Sequence, residues 1–232
     1  MKGIEMKLTR EMITEHKSIG TYLGVSTHIQ KKITGRVCGT ERIHFLAVLA
    51  DLMRQTFPQE FNYLEIGTLF GGSLCAAACH IQPMAESEKY AGIDIFTYYG
   101  NPIDNKSQTE VSRAQAMENI KKIGPPNCEL FEGNSQDPEI IKAALSYLEN
   151  GVQLLFIDGN HSWKGVLADV DKYSGSVVPG GLMVFDDYHD NAWPGVTEAI
   201  QRLDKAGWND VGPLILGGQV CFYVMQKNDS SL

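Results

Sequence analysis

Three carboxylates and one histidine stand where chemistry is possible. Asp158 ends the apolar run VQLLFIDG (152–159), and His161 follows three residues later in FIDGNHSW. Asp186 and Asp187 are adjacent at the end of GLMVFDDY (181–188). Adjacent acids repel each other unless a cation or a basic group compensates. Three convergent carboxylates suit a hard divalent cation, Mg²⁺ first, with water completing its shell. An imidazole near its unperturbed pKa of about 6.5 is suited to accepting a proton at neutral pH. His161 is therefore the candidate general base, beside Asp158.

Three further segments carry polar groups after apolar runs. LEIGTLFGGS (64–73) leaves a run at Glu65, turns through Gly67 and Gly71–Gly72, and enters a helix near Ser73. Glycine permits the tight turn and a close backbone approach. A helix N-terminus offers free N–H groups to a carboxylate. The GK[ST] ending of a phosphate-binding P-loop is missing. Asp94 lies within AGIDIF, at the end of the next strand and about 20–30 residues after the glycine turn, where an acid can accept two ribose hydroxyls. In EGNSQD (132–137), Asn134, Ser135 and Gln136 offer groups able to read an adenine edge. Ser135 or Asp137 also reads as a helix N-cap, with Pro138 in the first helical position.

The elements that must hold these residues are legible from periodicity. Apolar runs at 61–67, 89–96, 128–133, 152–159 and 181–188 alternate with helical patterns near 71–80, 109–123, 137–149, 163–174 and 195–206. Runs apolar on both faces suit a parallel sheet covered by helices. Alternation of strand and helix predicts a Rossmann-like, doubly wound α/β fold with right-handed crossovers and helices on both faces. GPLILGG (212–218) and VCFYVMQ (220–226) have no helix between them and read as a C-terminal antiparallel hairpin closing a mostly parallel sheet. Ligands in such sheets bind at the carboxyl ends of the strands, where all these polar residues fall. A helix is expected at about 41–55, and the first forty residues read as a short helical extension. We therefore divide the chain into an N-terminal helical segment, 1–58, and a main domain, 59–232, within a single structural unit.

Composition narrows the partners. With 232 residues and a net charge of -8, the chain can bury one sizeable core and has no basic block to attract nucleic acid or anionic lipid. No apolar run reaches the roughly 18 residues of a membrane span, and the N-terminus has no signal-peptide stretch. Five cysteines (Cys38, Cys75, Cys79, Cys128, Cys221) form no CxxC pair, which predicts buried thiols in a reducing, cytoplasmic setting. Ile13, Ile19, Leu23 and Ile29 look like exposed apolar positions and would permit a homo-oligomer.

Taken in order, the five segments over about residues 60–226 resemble class I S-adenosylmethionine (SAM)-dependent methyltransferases. EIGTLFGGS, GNSQD, IDGNHSW and FDDYH are similar to the metal-dependent O-methyltransferase branch, both catechol-type and macrolide-sugar-type. The resemblance implies that Glu65, Gly67 and Gly71 hold the methionine end of SAM, with Ser73 near its carboxylate. Asp94 then binds the ribose, and Ser135 and Gln136 border the adenine. Asp158, Asp186 and Asp187 would bind a divalent metal, with Asp158 also touching the cofactor side. His161 falls where the sugar type carries a histidine and the catechol type a lysine. The Asp186–Asp187 pair departs from the Asp–Asn of catechol-type enzymes and favours the sugar-type comparison. The implied acceptor is a hydroxylated small molecule, a sugar or other natural-product-like polyol. Tyr98, Tyr99, His189 and Trp193 are expected near the mouth.

Three other readings stand beside this one. A dinucleotide-dependent oxidoreductase lacks its GxGxxG spacing and does not explain the acids. A non-catalytic SAM-binding protein has no use for clustered carboxylates. A metal-independent N- or C-methyltransferase would use the acids to hold its substrate directly.

Overall fold

The computed structural model describes residues 7–16, 19–37, 39–79, 84–98, 100–216 and 219–229. Tyr99, Cys38 and the side chains of Ile19, Leu23 and Cys221 lie outside the described part. Three helices come first: α1 (Arg10–Thr14), α2 (Ile19–Lys32) and α3 (Thr40–Thr56). Then β1 (Glu60–Ile66), α4 (Gly72–Ala78), β2 (Ser87–Asp94), α5 (Arg113–Ile123), β3 (Cys128–Glu132), α6 (Pro138–Tyr147), β4 (Val152–Ile157), α7 (Trp163–Tyr173) and β5 (Val177–Phe185) alternate. The chain ends with α8 (Pro194–Arg202), β6 (Trp208–Leu216) and β7 (Gln219–Lys227).

The seven strands lie in the order β3-β2-β1-β4-β5-β7-β6. Strands β1 to β5 are parallel, and β7 runs antiparallel to both β5 and β6. This is the Rossmann-like sheet with a C-terminal antiparallel hairpin. The order reverses between β1 and β4, and a crevice opens at the carboxyl ends of the strands on either side of such a point.

Side-chain alternation explains why both faces are covered. On one face Tyr63, Leu154, Phe156, Leu182, Val184 and Phe222 join the apolar residues of α3, α4 and α5. On the other, Leu64, Leu155, Ile157, Met183 and Phe185 pack against α6, α7 and α8. Helix starts are fixed locally. Ser112 caps α5, Asp137 caps α6 ahead of Pro138, and Ser162 caps α7, each side-chain oxygen accepting a backbone N–H.

The reading of exposed apolar positions in the N-terminal helices is corrected here. Ile13 and Ile29 are 0% and 1% exposed and belong to the core on the α3 side. Each removes about 1.5–3 kcal/mol worth of apolar surface from water. The segment ahead of α1 is also tied to the hairpin, because Leu8 N–H donates to Gln226 Oε1 at 2.8 Å.

Helix α3 is pinned at its far end by a buried arginine. Arg54 pairs with Asp51 and Glu88, each at 3.1 Å, and donates to the Ala77 carbonyl at 2.6 Å. That anchorage to β2 and α4 fixes the direction in which the first turn of α3 points, toward the strand ends.

Candidate functional site

A cavity of about 980 Å³ opens over the carboxyl ends of β1, β2, β4 and β5. That is the upper end of the usual range for ligand pockets and leaves room for a cofactor and an acceptor together.

The glycine turn forms its floor. Gly67 has φ of +93°, and a Cβ built there would stand 2.0 Å from the Asp158 carbonyl oxygen, so only glycine fits between β1 and β4. Gly71, with φ of +80°, caps α4 without any side-chain bond. Gly72 and Ser73 line the cavity, while Gly71 itself packs against Ile120. Beneath the turn, Glu65 is completely buried. It accepts from the Tyr63 hydroxyl at 2.7 Å, yet its Oε1 has no hydrogen-bond partner, and neither has the buried Thr68 hydroxyl nearby. Burial pushes the Glu65 carboxyl up to about 8.

Asp94 lines the neighbouring wall. Its two oxygens accept the backbone N–H groups of Leu69 (2.7 Å) and Phe96 (2.6 Å), which aims the carboxylate at the turn. Burial raises its pKa despite those bonds. Beside it Ile95, 54% exposed, presents an apolar surface to the cavity. Across from β2, Gly133, Asn134 and Ser135 line the wall, whereas Gln136 is exposed and is not a lining residue. Ser135 is held from both sides by α7. Its hydroxyl donates to Asp169 Oδ1 at 2.6 Å, and the Tyr173 hydroxyl donates to its carbonyl at 2.7 Å. Asp169 is itself 0% exposed, and burial raises its pKa to about 6.

The acids meet at the ends of β4 and β5. Ligand atoms of Asp158, His161 and Asp187 lie within 4.8 Å of one another. His161 Nε2 is 2.9 Å from Asp187 Oδ2 and 3.4 Å from Asp158 Oδ1, and its ring stacks on Trp193 with centroids 4.4 Å apart. Asp186 is not part of that convergent set. It lies underneath, 3% exposed, with one oxygen accepting the Asp187 N–H at 2.8 Å and the other accepting Arg42 at 2.9 Å. Asp187 and His189 both have positive φ, +56° and +60°, so the chain bends sharply as it leaves β5.

Arg42 is the compensating group. From the first turn of α3, its Nη1 lies 2.8 Å from Asp186 and 2.6 Å from Asp187, and Nη2 lies 3.6 Å from Asp190. Burial would raise Asp187, but His161 and Arg42 outweigh it and hold its pKa below the ordinary carboxylate value. Burial raises Asp158 and Asp186. Burial would lower His161, but its bonds to Asp158 and Asp187 dominate and hold it up at about 10. In this arrangement the imidazole therefore keeps its proton at neutral pH.

Of the residues expected near the mouth, Tyr98 and Trp193 line the cavity, and His189 does not. Sequence reasoning missed Arg42, Thr68, Ile95 and two further lining cations, Arg36 and Lys106. The need for a compensating charge beside Asp186–Asp187 was a signal for Arg42, but it gave no position.

A glycine turn above a buried acid, a strand-end carboxylate on the next strand and a polar loop beyond it stand together at the switch point of the sheet, where such folds bind nucleotides. The methyltransferase domain family matches residues 64–188, just over half of the chain. The chain belongs to that family and is a SAM-dependent methyltransferase. A curated relative, an uncharacterised protein of Acanthamoeba polyphaga mimivirus, is 32% identical over 178 residues, 76% of this chain and 72% of that protein. Among solved structures, the O-methyltransferase NovP superposes with a TM-score of 0.60 at 12% identity, covering 90% of this chain and 98% of that one. TomG, an O-methyltransferase of Streptomyces achromogenes, gives 0.57 at 15% identity over 96% and 100%. The calicheamicin methyltransferase CalS11 gives 0.55 at 16% over 88% and 91%. At these identities the likeness is one of fold.

Proposed function

We propose that the protein transfers the methyl group of SAM to a hydroxyl of a small molecule. The observation that carries this reading is the convergence of Asp158, His161 and Asp187 in the same cavity as the glycine turn and Asp94. NovP and TomG are O-methyltransferases and CalS11 is a TDP-rhamnose 3′-O-methyltransferase, in agreement with it.

The chain's own residues divide the work. The unpartnered Glu65 Oε1 suits the cofactor's ammonium group, and the N–H groups at Gly72 and Ser73 suit its carboxylate. Asp94 takes the ribose hydroxyls. Ile95 and the Asn134–Ser135 edge receive the adenine, with Gln136 at the rim. Methyl transfer from a sulfonium is an in-line displacement, so orientation of the acceptor supplies much of the rate. Asp158 and Asp187 fit a divalent cation, because their two hard oxygens converge there and Asp186 lies directly behind. Such an ion, Mg²⁺ in our reading, would lower the pKa of a bound hydroxyl and orient it. His161 becomes a competent base once the charge of Asp158 and Asp187 is offset. The free thiols of Cys75, Cys79 and Cys128 agree with a cytoplasmic setting, and no helix among the described residues is long and apolar enough to cross a membrane.

A second reading has its own observation. Arg42 and His161 already bring positive charge to the acids, as a metal-independent N- or C-methyltransferase would require. Chelation separates the two. Calorimetric SAM binding that collapses in Asp94→Ala, with hydroxyl methylation lost on EDTA treatment and restored by Mg²⁺, is the expected result. Turnover that survives thorough chelation refutes the metal role.

A further inference from the structure

Two cations line the cavity besides Arg42. Arg36 sits in the segment between α2 and α3, and Lys106 in the long connection between β2 and α5. Arg36 is held in place on two sides. Its guanidinium lies 4.6 Å over the Tyr98 ring, and its Nε faces Asp104 Oδ1 at 3.6 Å. Asp104 is a rigid post. It is 0% exposed, and its Oδ2 accepts both the N–H (2.8 Å) and the hydroxyl (2.6 Å) of Ser107. Among the described residues, no acceptor meets the two terminal nitrogens of Arg36, and none meets the Lys106 ammonium. The contrast with Arg42 is direct: six residues further on, that guanidinium's Nη1 is shared by Asp186 and Asp187.

We propose that Arg36 and Lys106 bind a phosphate group of the methyl acceptor, so that the acceptor is a phosphorylated hydroxyl compound. This rests on the methyltransferase reading of the cavity. A planar guanidinium, pre-positioned by stacking and by a buried carboxylate, matches phosphate oxygens in a bidentate manner. The exposed ammonium of Lys106 adds a second positive charge to the same cavity. In the methyltransferase reading the cofactor's own carboxylate is served by the turn at Gly72–Ser73, which leaves Arg36 and Lys106 to the acceptor. The acid end would hold the hydroxyl and the cationic end the phosphate, which fixes the acceptor at both ends and selects which hydroxyl meets the methyl group.

The test is calorimetric titration of inorganic pyrophosphate in EDTA, first into the free protein and then into protein saturated with S-adenosylhomocysteine. We expect saturable binding in both, weakened at least tenfold in Arg36→Gln and in Lys106→Gln and partly restored in Arg36→Lys. Homocysteine-cofactor affinity of each variant reports that it is folded. Absence of pyrophosphate binding, or binding unchanged in both variants, overturns the proposal. So does pyrophosphate that displaces the cofactor, because the cations would then serve the cofactor itself. Should S-adenosylhomocysteine fail to bind at all, the methyltransferase reading fails, and the free-protein titration still decides this one.

Discussion

Arg42 Nη1 lies 2.6 Å from Asp187 Oδ1, joining the first turn of a helix outside the alternating β/α region to the residue just beyond β5. The same nitrogen reaches Asp186, so one guanidinium offsets two adjacent, nearly buried carboxylates.

Replacing Arg42 with Gln should therefore cost about 1–3 kcal/mol, since it leaves charged groups of low exposure without their partner. Urea denaturation of wild type and variant measures this. If a divalent cation occupies the same acids, added Mg²⁺ will recover more stability in Arg42→Gln than it adds to wild type. Equal gains would separate the arginine from the metal site.

Glu65 predicts a pH dependence of stability. Its folded pKa is raised, to about 8, above the 4.5 of the unfolded chain. Between those values the unfolded state has released a proton that the folded state keeps. The contribution is thus present below about 4.5 and is lost as pH rises toward 8. Melting temperatures of the cofactor-free protein should fall across this window, and Glu65→Gln should flatten the slope. A cofactor ammonium beside Glu65 favours the carboxylate, so SAM binding at pH 7 should release a proton, seen as a buffer-dependent heat.

Asp169 acts on the adenine side through Ser135. Asp169→Ala and Ser135→Ala should each raise the KM for SAM about tenfold, the scale of one hydrogen bond to a charged group, with kcat little changed. The double variant should lose hardly more than either single one, because both remove the same bond. Additive losses would show that Asp169 works elsewhere.

Gly67→Ala tests the floor. A methyl group there meets the Asp158 carbonyl oxygen at 2.0 Å with φ at +93°. Overpacking and a left-handed backbone together should cost about 2–5 kcal/mol. SAM binding and divalent-ion binding should decline together in this variant, because the strain falls on β1 and β4 at once. Separate calorimetric titrations read both losses.

The strands and their polar ends were legible because buried parallel strands are written as short apolar runs, and the residues that end them stand out. Asp94, Asp158 and Asp186–Asp187 all fall at or just beyond their strand ends. Boundaries drifted where the pattern gave no stop: β2 ends at Asp94 because the chain turns at Phe96, with φ of +49°, although the apolar run continues. Strand β6 begins at Trp208, in the polar WND, since pairing with β7 rather than hydropathy defines it. Ile13 and Ile29 looked exposed because their covering partners are distant in sequence. Arg42, Arg36 and Lys106 escaped for the same reason, since a long side chain's target depends on how helices and loops are laid over the sheet.

The acids sit at the ends of β4 and β5, inner strands packed on both faces, whereas Arg36, Tyr98 and Lys106 ride on connections outside the sheet. In the proposed reading the reacting end is thus tied to inner strands packed on both faces, and the recognising end to connections of the kind that tolerate insertion and exchange. In that reading, rewriting the two connections would change the acceptor while the spacing of Asp158, His161 and Asp187 stayed fixed.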